Sequence, residues 1–159
     1  MAVDGSASVP FGYVIVKADD IESVRDQTFI QTWPSYISHL LHSGDVTDAA
    51  IFDMNGKQLA TSRQDFDLDA EEFADILIAL TDPQSFKERG FSVSGSHYNL
   101  VCSDRKFGLI GRSGLPAVGC TVCKTNKLLI IGAHDATIKS RNCNAVVMSL
   151  GDFLRQKDW

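Results

Sequence analysis

The sequence predicts an α+β domain, an antiparallel sheet with helices on both faces. Three observations carry that expectation. Apolar residues recur at helical spacing after Thr32, after Asp69 and after Asn144, whereas from Phe91 to Gly132 they fall in short runs broken by polar turn residues. Those runs lie too close together for crossover helices, so hairpins must join them and the sheet must be largely antiparallel. Finally, 159 residues with 44% hydrophobic and 22% charged side chains can build one core, with no room for a second domain of ordinary size.

The first 31 residues carry the weakest pattern. Residues 1–10 are small and polar, Phe11 to Lys17 could form a short strand and Asp20 to Gln31 a weak helix; residues 1–31 are expected to be a partly flexible extension ahead of a domain spanning 32–159. The clear signal begins at Thr32. Trp33, Tyr36, Ile37, Leu40 and Leu41 share one helical stripe, with Thr32 as N-cap, Pro34 in the first turn and Ser43-Gly44 as terminator. Asp48 to Asp53 reads as a strand, and Asn55-Gly56 as a tight turn into a second, Lys57 to Thr61.

Asp69 followed by Glu72 has the spacing of a capping box, and Phe73, Ile76, Leu77 and Leu80 supply the buried stripe of the helix it starts. Asp82-Pro83 stops that helix, with one more short turn over Pro83 to Glu88. Phe91 to Val93, Tyr98 to Cys102, Phe107 to Ile110, Ala117 to Lys124 and Lys127 to Gly132 follow as strands. Ala133 to Arg141 reads as a long loop, after which Val146, Val147, Leu150, Phe153 and Leu154 form the last helical stripe, with Asn142 or Asn144 as its cap.

Composition excludes several function classes. A net charge of -5 argues against a nucleic-acid binder. The first residues lack the basic region of a secretory leader, and the longest apolar stretches, Ile76 to Leu80 and Leu128 to Ile131, are far short of the roughly 20 residues that cross a bilayer. A soluble, cytoplasmic protein is expected. Cys120 and Cys123 have C-x-x-C spacing but lie in a strand-like segment, where they face opposite sides, and no second pair matches them; with Cys102 and Cys143 they read as ordinary thiols, not as a metal site.

Catalytic patterns are missing as well. No serine sits in a G-x-S-x-G elbow, Ser92 to Ser96 reads as a turn, and His97 and His134 lie near strand ends as surface or interface residues. The aspartates at 48, 53, 65, 67, 69 and 75 read as cap, turn and solvent-facing acids. Gly108, Gly111, Gly114 and Gly119 match no phosphate loop and read as bulge and turn residues. The expectation is a binding protein with no catalytic residue, no cofactor and no metal.

The terminal helices are more informative. Trp33 and Tyr36 open one, Phe153 lies in the other, and Trp159 ends the sequence. If the two helices are neighbours, their aromatic edges form a shallow groove suited to a polyproline helix, which loses little entropy on docking.

With this constellation the chain resembles profilin from about Thr32 to Trp159. The matching pieces are Trp33-x-x-Tyr36-Ile37, Asp48-Ala49-Ala50-Ile51 with its Asn-Gly turn, and Asp67 to Leu80. Gly95-x-x-Tyr98, Thr121-Val122-Cys123-Lys124-Thr125 and Ser149-Leu150-Gly151-Asp152-Phe153-Leu154 complete the set, in the right order. The resemblance implies a sheet with the N- and C-terminal helices side by side on one face and shorter helices on the other. It also implies a non-enzymatic, cytoskeleton-associated protein that binds monomeric actin and proline-rich partners such as formins, with phosphoinositide headgroups as a further ligand.

By that resemblance the proline-rich site comprises Trp33, Tyr36, Leu59, Phe153 and Trp159, and the actin site His97, Cys102, Lys124, Asn144 and Met148. Phe153 stands where animal relatives often have histidine and plant-like relatives tyrosine. Leu59 replaces the usual tryptophan, removing a stacking face and an indole donor, so proline-rich binding should be weaker or altered in preference. His97 and Cys102 replace commonly basic residues, which lowers the expected attraction to actin and to phosphoinositides, whereas Lys124 retains a charge. Residues 1–31 precede the point where a typical profilin begins; they are expected to be a passive tail, or else to cover the groove, extend it or serve another partner. The alternative readings are a proline-binding module without useful actin affinity and an enzyme or small-molecule sensor on a similar sandwich.

Overall fold

The computed structural model describes residues 32–104 and 107–159. The strand and helix expected between Phe11 and Gln31 lie outside them. Helix α1 (Trp33–His42) starts where expected: the Thr32 hydroxyl accepts the Ser35 N–H at 3.2 Å and the Ser35 hydroxyl accepts the Thr32 N–H at 3.0 Å. This reciprocal pair satisfies two of the four amide donors that a helix start leaves open. After Ser43 the chain reverses at Gly44, whose φ of 80° lies in the left-handed region open to glycine.

Strands β1 (Asp48–Asp53) and β2 (Gln58–Thr61) form the expected hairpin. Asp53 holds the turn, its Oδ1 accepting the Asn55 and Lys57 N–H groups at 2.8 and 3.0 Å. Helix α2 (Ala70–Thr81) carries the predicted box, Asp69 accepting from the Glu72 N–H at 2.8 Å and Glu72 from the Asp69 N–H at 3.1 Å. The other Glu72 oxygen accepts the Gly95 N–H at 2.8 Å, so one buried carboxylate both caps α2 and ties it to a distant turn. A single 3-10 turn follows at Pro83–Phe86.

The remaining strands are β3 (Phe91–Val93), β4 (Ser96–Ser103), β5 (Gly108–Ser113), β6 (Val118–Lys124) and β7 (Leu128–His134), and helix α3 (Ser140–Gln156) closes the chain. Ser94 and Gly95, both at positive φ, make the two-residue β3–β4 turn. All pairings are antiparallel, in the order β2-β1-β7-β6-β5-β4-β3. The first and last strands of the series β1 to β7 therefore lie side by side, and this places α1 and α3 together on one face.

Strand alternation divides the core in two. Phe52, Cys120, Val122, Leu129 and Ile131 point to the α2 side with Phe66, Ile76, Leu80 and Phe86. Ile51, Cys123, Leu128 and Ile130 point to the α1 and α3 side with Ile37, Leu40, Val147, Leu150 and Leu154. Cys120 and Cys123 thus face opposite sides of β6, as their spacing requires on a strand. The layers are those expected from the sequence, helices on both faces of an antiparallel sheet.

Several local readings are corrected. β7 runs on through His134, so the loop expected over Ala133 to Arg141 shrinks to 135–139. Neither Asn142 nor Asn144 caps α3: the helix starts at Ser140 after Lys139, without a side-chain cap, and Asn144 accepts a hydrogen bond from the Thr121 hydroxyl on β6 instead. His134 is not a surface residue; it is 5% exposed, with Nδ1 2.8 Å from the Asp135 carbonyl and Nε2 3.3 Å from the Ser140 hydroxyl. Among the glycines read as bulges and turns, Gly114 does sit in a turn at φ 82°, but Gly111 and Gly119 serve packing. A methyl group on Gly111 would lie 2.7 Å from the Phe91 ring, and one on Gly119 2.6 Å from His134 Nε2.

The same logic governs the seat of α3. At Gly151 the helix lies directly against the Cys123 thiol, in the space a Cβ would need. Gly151→Ala would gain about 0.5–1 kcal/mol from helix propensity but lose about 1–3 kcal/mol to overpacking against β6. Urea unfolding is expected to show net destabilisation, and the loss should shrink in a Cys123→Ala background. A stabilised single variant would show that α3 moves freely at this contact.

Burial raises the thiols of Cys123 and Cys143 to about 11, and Cys120 higher still; Arg155 beside Cys123 and the Thr121 hydroxyl beside Cys143 offset part of the effect. Native protein keeps these protons between about pH 9 and 11 while the unfolded chain releases them, so this stabilisation, complete below about pH 9, is lost as pH rises across that window. Denaturation midpoints should fall accordingly. At pH 8 a thiol reagent should label one cysteine rapidly, the exposed Cys102, and the other three only on unfolding.

Candidate aromatic groove and sheet surface

Four rings from opposite ends of the described chain form one continuous row. Trp33 opens α1, and Tyr36 follows one turn later with its centroid 5.8 Å away. On one side the Trp159 ring meets Trp33 edge-on at 4.8 Å and 83°; on the other, Phe153 in the last turns of α3 lies 6.3 Å from Tyr36. These separations are ordinary for interacting aromatic pairs. Phe153 and Trp159 are each 39% exposed, whereas Tyr36 is buried against the core, and that burial raises its phenol above the ordinary value.

Trp159 reaches the row because the chain folds back after α3. The Lys157 and Trp159 N–H groups both donate to the Leu154 carbonyl, each at 3.0 Å, with Asp158 between them at φ 69°. The Lys127 N–H in the β6–β7 turn then donates to the Trp159 carbonyl at 3.2 Å. The fifth predicted groove residue, Leu59 on β2, packs partly buried against the same cluster as Trp33. A polar-edged aromatic row of this kind suits a ligand with flat apolar faces and exposed carbonyl oxygens.

The second predicted set is only partly gathered. His97 on β4 alternates with Tyr98, whose side chain joins the α2-side core, so His97 belongs to the α3 side of the sheet. A bulge between Leu100 and Cys102 pairs Cys102 with Ile110 and brings it to that side as well. Ile110 pairs in turn with Thr121, whose hydroxyl bonds Asn144, and Met148 covers Gly108 two pairs further along. Cys102, Asn144 and Met148 therefore border one patch, with exposed His97 toward the β3 edge.

His97 Nε2 lies 2.6 Å from the Arg89 carbonyl, which can only accept, so this nitrogen carries the proton. Lys124 stands apart from the patch. It pairs with Leu129 of the α2-side core at the end of β6, and alternation places it on the other face from Asn144 and Met148.

Sequence reading overlooked three cations. Arg155 lies over the Phe107 ring with its guanidinium carbon 3.9 Å from the centroid, and donates to the Lys124 carbonyl at 2.7 Å and to Asp152 at 2.6 Å. Lys157 Nζ lies 5.2 Å from the Phe153 centroid and Lys127 Nζ 5.4 Å from that of Trp159. The Lys157 contact was legible in principle, since residues four apart are helical neighbours; the Lys127 contact depends on the chain reversal after α3, which leaves no local signal.

Among the described residues no cluster of metal-ligating side chains occurs, and no helix is long and apolar enough to cross a membrane. The sequence matches the family model Profilin over residues 31–159. Among solved structures, Acanthamoeba castellanii profilin II superimposes with a TM-score of 0.73 at 28% identity, covering 80% of this chain and all of that one. Schizosaccharomyces pombe profilin gives 0.72 at 20% identity with the same coverage. Mouse profilin IIa, solved in complex with a double repeat from the FH1 domain of mDia1, gives 0.68 at 18% identity, covering 81% of this chain and all of that one. With the family model matched across four fifths of its length, this chain belongs to the profilin family.

Proposed function

We propose that this protein binds monomeric actin and joins it to proline-rich partners, acting by paired surface recognition rather than by catalysis. The observation that carries the reading is the row Trp159, Trp33, Tyr36 and Phe153, which brings four ring systems from both ends of the domain into one partly exposed line. A left-handed polyproline helix can lay its flat pyrrolidine faces on such rings, and its exposed carbonyls can take hydrogen bonds from the indole donors. The FH1 repeat bound by the mouse structure is a ligand of the type this reading assigns to the row. Leu59 offers an aliphatic surface beside it.

The actin surface in this reading is the α3 side of β4 and β5 with the adjoining face of α3, where Cys102, Asn144 and Met148 meet and His97 lies outward. Lys124, on the opposite face at the end of β6, lies outside this surface. This surface holds fewer positive charges than a docking face for an acidic partner would favour, and that supports a second reading in which proline recognition persists with little actin affinity. The same shortage weakens phosphoinositide binding. His97 and Cys102 are exposed on a strand, an arrangement that does not favour a small-molecule sensor. The protein would work in the cytoplasm with the actin cytoskeleton.

Because both tryptophans of the sequence lie in the row, intrinsic fluorescence reports on it directly. Titration with a proline-rich peptide is expected to shift that emission. Phe153→Ala, which removes an exposed ring without opening the core, should weaken binding by about tenfold, and Leu59→Trp should strengthen it several-fold. Absence of any fluorescence or calorimetric response to proline peptides would sink the groove assignment.

Calorimetry with actin held monomeric is expected to show one-to-one binding, further weakened by the negative charge that Asn144→Glu places at the patch. If no complex forms even at high concentration in sedimentation, the proline-binding module without actin is the correct reading.

A further inference from the structure

The two ends of the aromatic row are each marked by a cation that no carboxylate among the described residues pairs. Lys127 Nζ is 5.4 Å from the Trp159 centroid and Lys157 Nζ is 5.2 Å from that of Phe153, and neither takes part in an ion pair among the described residues. On a chain of net charge -5, Lys127 and Lys157 thus set two ammonium groups beside one apolar row, one against the ring at each end. Among the described residues each meets a ring quadrupole, a weak partner at an exposed site. A ligand carboxylate would compete well against it.

The length of the row bounds the segment it can hold. Ring separations of 4.8, 5.8 and 6.3 Å make the path from Trp159 to Phe153 at most about 17 Å, the length of five or six residues of a polyproline helix at about 3.1 Å each. Building on the proline-rich reading above, we propose that the row selects proline-rich segments bracketed by acidic residues about six positions apart, with Lys127 and Lys157 receiving the two carboxylates. The rings hold the proline run, and the lysines set which runs are preferred and fix their register along the row.

The test uses the full-length protein and four end-blocked probes: an uninterrupted proline peptide, and three proline peptides carrying two glutamates, two glutamines or two lysines about six residues apart. At low salt the glutamate peptide is expected to bind about three- to tenfold tighter than the glutamine peptide, and the lysine peptide more weakly than either. That advantage should fade with added salt and vanish in Lys127→Gln/Lys157→Gln, while this variant keeps its affinity for the glutamine peptide and so shows an intact row. Equal affinity for all three charge patterns overturns the proposal, as does a glutamate preference that survives in the double variant. Binding of the uninterrupted peptide alone overturns it too, but leaves the proline-rich reading standing. Failure of all four peptides removes that reading and the acidic preference with it.

Discussion

The pairing of β1 with β7 is the constraint on which the rest of this molecule depends. Six residue pairs, from Asp48 with Ala133 to Asp53 with Leu128, join the front of the described chain to its back, and all seven residues of β7 are buried. Burying two faces of one strand requires a helical layer on each side. α2 with the 3-10 turn covers one, and α1 with α3 covers the other. The aromatic row follows from this: Trp33 and Trp159, 126 positions apart in sequence, become neighbours because the strands beneath their elements are neighbours.

α3 links the two surfaces assigned to binding. Its early turns lie over β6 through Asn144 and Thr121, its middle covers Gly108 through Met148, and its last turns deliver Phe153 to Tyr36. A 17-residue helix spans about 25 Å, so one rigid element carries separate contacts near its two ends. Gly132 and Gly151 let it sit close to the sheet: a Cβ on Gly132 would lie 2.5 Å from Val147, and one on Gly151 would meet Cys123. Close seating limits the freedom of α3 to slide, so the two surfaces keep a fixed relation.

The sequence was most legible where local chemistry decides structure. Thr32 with Pro34 and Asp69 with Glu72 announce helix starts because the signals lie within three residues of each other, and Asn55-Gly56 announces a turn for similarly local reasons. Legibility fell where a distant partner decides. Asn144 has the chemistry of a cap, but a hydroxyl on β6 claims its side chain. His134 has the polarity of a loop residue, but β6 and the start of α3 enclose it. The bulge that turns Cys102 to the α3 side answers to its β5 partner, and the Lys127 contact to a chain reversal more than 30 residues away. Family resemblance supplied the groove residues that periodicity alone leaves as core.

Antiparallel closure of β1 on β7 also sets a timetable for the nascent chain. Asp53 waits for Leu128, about 75 residues later, and at about 5–20 residues per second that is an interval of roughly 4–15 s. Throughout it, the four central apolar residues of β1, Ala49 to Phe52, have β2 on one side and an open hydrogen-bonding edge on the other. During synthesis the middle of the future sheet is thus temporarily an edge, the arrangement most prone to pairing with a foreign strand. This family member should therefore depend on chaperone shielding while it is being made far more than its compact finished form would suggest.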